Sequence, residues 1–176
     1  MARRRFEQKD YDAIFAELDG ENDRAAIAVG GSILEHALEQ AILSRLREPQ
    51  DNDESAKLFS DVGIFGTFYE KIWAAYFLKI IGPITRRDID LVRHIRNVAA
   101  HDMNPVSFDR TSGVASRCQE LFIAKDSIPA KATPPDLRGM FNLAVRFFTA
   151  NLFLRAGDSN WEIAEASKSL APYLDR

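Results

Sequence analysis

Cysteine occurs once among the 176 residues, at Cys118, and histidine only three times. One cysteine excludes a disulfide within the chain and fits a reducing compartment. So few thiols and imidazoles, scattered along the sequence, do not make a zinc site. No metal and no cofactor is therefore expected. A basic excess is also lacking: Lys and Arg total 23 against 26 Asp and Glu, for a net charge of −3. Proteins that hold duplex DNA by its phosphates usually show the opposite balance. Long apolar runs are missing too. The stretch "LAVRFFTANLFL" is too short for a bilayer and is interrupted by Arg146. The opening "MARRRFEQKD" has no apolar stretch behind its arginines, unlike a secretory signal. A cytoplasmic protein without a membrane partner is expected.

Strand signals are absent as well. No Asn-Gly or Asp-Gly hairpin sits between alternating residues, and no period-two pattern is sustained. With 46% apolar and 28% charged residues, the composition is that of an ordinary globular chain, and the length favours one domain over residues 1–176.

What is present is helical periodicity. Tyr11, Ile14, Phe15 and Leu18 suggest a first short helix over about Gln8 to Leu18, within an N-terminal unit of residues 1–20. Asn22 or Asp23 can cap a long helix to about Arg47, whose apolar stripe is Ile27, Gly31, Leu34, Leu38, Ile42 and Leu46. Gly30 and Gly31 lie inside it, at a cost of roughly 1 kcal/mol each relative to alanine. Close approach of a second helix is the better reason for them, and a dimer contact nearby is expected. A short helix fits Ala56 to Ser60. Thr67 and Glu70 form a capping box for a helix carrying Ile72, Trp73, Tyr76, Phe77 and Ile80, with Gly82-Pro83 as its stop. Thr85 and Asp88 form a second candidate box, opening a helix that ends near His101 or Asp102. Further helices fit Val114 to Ile123 and Leu137 to Arg155, the latter ended by Gly157. A proline-rich connector lies between them. The tail is expected to pack Trp161, Ile163, Leu170 and Leu174. Six or seven helices joined by short loops predict an all-α, single-domain bundle with a core over residues 21–124 and C-terminal helices over 137–176.

Residues 93–102 read "RHIRNVAAHD". At 100° per residue, with Ile89 at zero, Leu91, Val92, Ile95, Val98 and Ala99 fill the core side of the wheel. Arg93, Asn97 and His101 climb one polar stripe, while Arg96 falls on the flank of the apolar arc. Arg96 must snorkel there or find an acid, and Glu35 or Glu39 is a candidate. A histidine at a helix C-terminus is favoured by the helix dipole alone. The same cluster of Arg96, Asn97 and His101 has a second, chemical reading. The histidine can relay the proton of a ribose hydroxyl or of the leaving oxygen. The arginine can steady the charge that builds on phosphorus. That chemistry needs no metal. A DNA-reading face would draw on Arg86, Arg87, Arg93 and Asn97, but Asp88 and Asp90 dilute its field, so direct sequence-specific DNA binding is not expected.

The segment "RNVAAH" resembles the R-x4-6-H motif of HEPN domains, all-helical modules that usually dimerise. In the ribonucleases among them the resemblance implies catalytic roles for Arg96 and His101, with Asn97 as the polar residue after the arginine. A longer set of blocks is similar to the mannitol operon repressor (MltR) family: "DRAAIAVGGSILEHALEQAI", "GIFGTFYEKIWAAYFLKII", "DIDLVRHIRNVAAHD", "SFD" and "RCQEL", over roughly residues 21–121. Nothing after Pro129 matches. This resemblance implies an all-helical bacterial regulator that acts on its operon through protein partners. The expectation is a homodimeric regulatory or interaction module with a protein partner and no DNA reader of its own. The alternative is a metal-independent endoribonuclease, a toxin or defence component, that acts on RNA through Arg96, Asn97 and His101. Arg93, Arg86 and Arg87 are the candidate binding residues.

Overall fold

A computed structural model describes residues 22–47, 49–123 and 136–157, together with 13, 15, 16 and 18–20. The expected tail contacts of Trp161, Ile163, Leu170 and Leu174, the proline-rich connector and Tyr11 and Ile14 lie outside the described residues. The fold is all-helical, and among the described residues there is no strand. Among the described residues six helices are delimited, in order: α1 Asp23–Leu43, α2 Asn52–Phe59, α3 Phe68–Phe77, α4 Pro83–His101, α5 Ser112–Glu120 and α6 Leu137–Gly157. Residues 13, 15, 16 and 18–20 are helical as well.

Helix α1 is the central element. Asn22 caps it, its side chain accepting from the Ala25 amide at 2.9 Å. Ile27, Leu34, Leu38 and Ile42 are buried, and so are Ala26, Ala37 and Ala41 on its other sides. A helix buried on more than one side must be apolar around much of its circumference. The glycine pair serves this position. A Cβ on Gly30 would lie 2.8 Å from the Phe141 ring of α6, and one on Gly31 would lie 2.9 Å from Cγ of Arg96 on α4. The expected close approach is thus between helices of one subunit. Both glycines are buried, so neither presents a surface to a second copy. Helix α1 ends at Leu43, one turn before the expected Arg47.

The ion pair of Asp23 with Arg138, at 3.3 Å, and the seating of Gly30 on Phe141 and Val145 make α1 and α6 parallel. The contacts of Arg24 with the end of α4, and of Gly31 with Arg96, make α1 and α4 antiparallel. One connected apolar cluster runs from Leu18 through α1, α3, α4 and α5 to Leu152 on α6.

Three expectations about helix ends are corrected. Helix α2 starts earlier than expected because Asp51 caps it, accepting from the Glu54 amide at 2.8 Å. Helix α3 stops at Phe77, not at Gly82-Pro83. Its C-terminus is a Schellman turn: the Ile80 amide donates to Ala75 O at 2.9 Å and the Lys79 amide to Tyr76 O at 3.0 Å. Lys79 takes the left-handed position, at φ 57°. Gly82 and Pro83 instead open α4 as its N-cap and first residue, where the missing proline N–H costs nothing. Thr85 and Asp88 are therefore inside α4, and Gly82 caps it with no side-chain bond. Asp88 is fully buried and accepts from the amides of Phe122, at 3.1 Å, and Ile123, at 2.9 Å, just after α5. Helix α5 itself begins at Ser112 and ends at Glu120, and residues 122–123 are helical as well. The capping box of Thr67 and Glu70 is formed as expected, with both reciprocal bonds present.

Candidate functional site

Helix α4 carries the residues singled out in the sequence. Ile89, Val92, Ile95 and Ala99 are buried, which fixes the rotation of the helix and hence the direction of every other side chain on it. Arg96 leaves on the flank toward α1. Its stem lies over Gly31, and its guanidinium reaches Glu35 at 3.8 Å and Asn97 Oδ1 at 3.4 Å. Both are long contacts, and 38% of the side chain remains exposed.

Glu35 is shared with a lysine that the sequence reading did not single out. Lys71 of α3 donates to Glu35 at 2.9 Å and lies 3.5 Å from Glu39, with only 6% of its side chain exposed. An ammonium so enclosed requires this pair of carboxylates. The signal was present: Lys71 interrupts the apolar stripe of α3 one residue before Ile72.

His101 is the last residue of α4 and is exposed. It stands five residues beyond Arg96, which is about 140° around the helix axis. The structure joins Arg96 and Asn97; His101 continues the stripe of Asn97 one turn on and is turned away from Arg96 alone. Among the described residues His101 makes no hydrogen bond or ion pair. The end of α4 is held instead by Arg24 from the first turn of α1. Its guanidinium donates to the carbonyls of Ala99, Asp102 at 2.8 Å and Asn104 at 2.6 Å. An arginine in a first turn opposes the dipole of its own helix. That misfit was the sequence signal for Arg24, and the carbonyl end of α4 is what it satisfies.

The other arginines of α4 have partners too. Arg93 donates to Asp90 at 2.7 Å and lies 5.3 Å from the Tyr69 ring centroid. It also lies 3.0 Å from His94 Nε2. His94 Nδ1 donates to Asp90 O at 2.9 Å, and the Arg93 nitrogen, 3.3 Å from Nδ1 as well, sits over the imidazole face. Arg87 pairs with Glu120 at 3.5 Å, both half-exposed. Arg86 lies against two aromatic rings, 4.6 Å from the Trp73 centroid and 5.4 Å from that of Tyr76.

Beside this face opens an apolar groove of about 620 Å³ between α3, the loop 60–66 and the end of α1. Leu46, Phe65, Ala74 and Leu78 line its floor, with Tyr69, Trp73 and Phe77 at its side. The loop is folded tightly onto α2: the Ile64 amide donates to Lys57 O and the Phe65 amide to Leu58 O, at 3.0 and 2.7 Å. A Cβ on Gly66 would sit 2.5 Å from Ser60 O, so only glycine allows this approach. The sequence hint was an apolar Ile64-Phe65 pair inside a glycine-bearing break. Among the described residues no group of three or more His, Cys, Asp or Glu side chains is placed to hold a metal ion. None of the described helices is long and apolar enough to cross a membrane.

No family model matches the chain, and no curated protein does. A solved structure does: the X-ray structure of the MtlR–HPr complex from Escherichia coli, with a TM-score of 0.65 and 17% sequence identity. The match covers 82% of this chain and 99% of the other. The helical architecture is thus that of an MtlR-like fold.

Proposed function

We propose that this chain is a cytoplasmic regulatory module of the mannitol operon repressor kind, working as a homodimer and passing its signal to a protein partner without reading DNA itself. One observation carries the reading. The arginines of α4 that a DNA reader would expose are committed to Asp90, Glu120 and the Trp73 and Tyr76 rings, while the open feature beside them is an apolar groove. Apolar concavities of this kind suit protein side chains, not phosphates. The likeness of fold to a protein solved in complex with HPr supports a protein partner. The test is affinity capture of the full chain from its own cell extract. A partner recovered in stoichiometric amount supports the reading; a chain that emerges alone at every salt concentration counts against it. Light scattering tests the homodimer, which is refuted by a mass near the 19.8 kDa of one chain.

A metal-independent endoribonuclease of the HEPN kind is the second reading. The exposure of His101 and the partial exposure of Arg96 favour it, because a second molecule can reach both. Labelled RNA incubated with the protein in excess EDTA, beside His101→Ala, tests it. Cleavage by the wild type alone supports the reading. Equal cleavage by both proteins, or by neither, removes it.

A further inference from the structure

The groove beside α3 combines three features. The first is its exposed apolar wall. Phe77 is 72% exposed, Ile64 66% and Tyr69 49%. Side chains of this size leave water at a gain of about 25 cal/mol per Å² of apolar surface, and a cluster of them beside a concavity marks an interaction site. The second is spacing. Tyr69, Trp73 and Phe77 repeat every four residues and form a ridge about 12 Å long on one face of α3. A helix laid alongside would meet that ridge with its own side chains at three- and four-residue steps.

The third feature is charge. Glu70 is the acid in the lining, and its carboxylate is engaged with the Thr67 amide at 2.9 Å. Arg86 lies against the lining residue Trp73, and among the described residues it has no carboxylate within ion-pair distance. Lys79, next to Leu78, and Arg47, next to Leu46, are exposed and also without an ion pair among the described residues. Glu70 keeps its negative charge at the Tyr69 end of the wall, while the charges beside Trp73, Leu78 and Leu46 are the cations Arg86, Lys79 and Arg47. Single-stranded nucleic acid is a poorer fit, because base stacking needs an open aromatic face. Trp73 already carries Arg86 on its ring and stacks with Phe77 at 5.5 Å.

We propose that this groove receives an amphipathic helix of another protein, one with carboxylates beside its apolar stripe, the nearest carboxylate meeting Arg86. The proposal rests on the regulatory reading above and names the surface through which it works. Trp73 and Phe77 supply the apolar contact. Arg86, already half-desolvated on the Trp73 ring, supplies a charge whose pairing strengthens once the helix excludes water.

The test uses the full chain and two fluorescein-labelled 18-residue helical peptides with the same leucine and phenylalanine stripe. One carries glutamates along the stripe's flank and the other carries lysines. Binding is read by fluorescence anisotropy. The glutamate peptide is expected to bind at least 10-fold more tightly than the lysine peptide. Phe77→Glu and, separately, Ile64→Asp are expected to weaken it at least 10-fold. Both positions are exposed, and circular dichroism melts confirm that each variant is folded. Arg86→Glu is expected to reverse the preference between the peptides. Equal affinity for both peptides, no binding of either, or undiminished binding by the folded variants overturns the proposal. It is equally overturned if Phe77→Glu converts a wild-type dimer to a monomer, which would assign the groove to a second copy, or if it abolishes binding of oligo(U). The two readings fail separately. A partner captured equally by wild type and Phe77→Glu overturns the groove and leaves the regulatory role. A chain that emerges alone from extract, yet binds the glutamate peptide through Phe77, overturns the role and leaves the groove.

Discussion

Cys118 is enclosed by the core on α5, and burial pushes its thiol up to about 12. Since the thiolate is the reactive form, the native protein at pH 8 should resist iodoacetamide. Intact-mass spectrometry should show no adduct in buffer and one in 8 M urea; an adduct on the folded protein would contradict the burial. At Glu70 the shift runs the other way. Hydrogen bonds from the Thr67 backbone and hydroxyl hold its carboxyl below the usual range. A carboxyl depressed in the folded state contributes stability that is present above its unfolded pKa and is lost as pH falls through the folded value. The melting temperature of Glu70→Gln should therefore lie below that of the wild type at pH 7. The gap should narrow as pH falls below about 4, the ordinary carboxylate value. A gap constant from pH 7 to pH 3 would mean that the charge of Glu70 contributes nothing. The capping box was legible in the sequence because its two members are three residues apart and each needs only the other's backbone. Asp88 was not, since the amides it serves lie 34 and 35 residues further on. A carboxylate three residues after a threonine looks like a cap until the location of the helix start is known.

At the level of single elements, the end of α3 shows why stops are harder to place than starts. A Schellman turn is built from backbone bonds, and its one sequence marker is a glycine in the left-handed position. Here Lys79 occupies that position, so the nearest glycine, Gly82, drew the boundary to itself. A left-handed L-residue costs roughly 1–2 kcal/mol, while glycine adopts the conformation without strain but loses more entropy on folding. Lys79→Gly should stabilise the protein by about 1 kcal/mol, read as a higher urea midpoint at unchanged m-value. A lower midpoint would mean that the lysine side chain contributes more than its backbone costs. The periodicity of α4 was legible for the complementary reason. Val92, Ile95 and Ala99 of the arc drawn on the wheel are buried, Leu91 and Val98 at its edge are half-buried, and Ile89 is buried outside it. The flanking position of Arg96 followed from that geometry, and of its two candidate acids, Glu35 and Glu39, it reaches Glu35 at 3.8 Å.

Across the whole molecule, what stayed hidden were contacts between residues far apart in sequence. The groove exists only where a loop, α3 and the end of α1 meet, and its lining from Leu46 to Leu78 crosses three elements whose mutual packing no helical period reports. Lys71 is the other case, for it joins α3 to two carboxylates of α1, one of which also reaches α4. Lys71→Ala would leave the enclosed carboxylates of Glu35 and Glu39 without the ammonium they share. Removing one partner of a buried ion pair costs about 3–5 kcal/mol, and urea denaturation should show a loss of that order. Lys71→Met combined with Glu35→Gln and Glu39→Gln should recover most of it, because no uncompensated charge then remains. A triple variant as unstable as Lys71→Ala would show that packing, not charge, is what Lys71 provides.

The pairing of α1 with α6 has a consequence for synthesis on the ribosome. Asp23 and its partner Arg138 are 115 residues apart in the chain, so the first long helix leaves the exit tunnel well before the last one that covers it. At about 5–20 residues per second, the interval is roughly 6–23 s. During it Ile27, Leu34 and Leu38 have no α6 to close over the bundle. A nascent chain in that condition is a natural client for a ribosome-bound holdase, and a slow codon in the α6 stretch would prolong the exposure more than one placed after it.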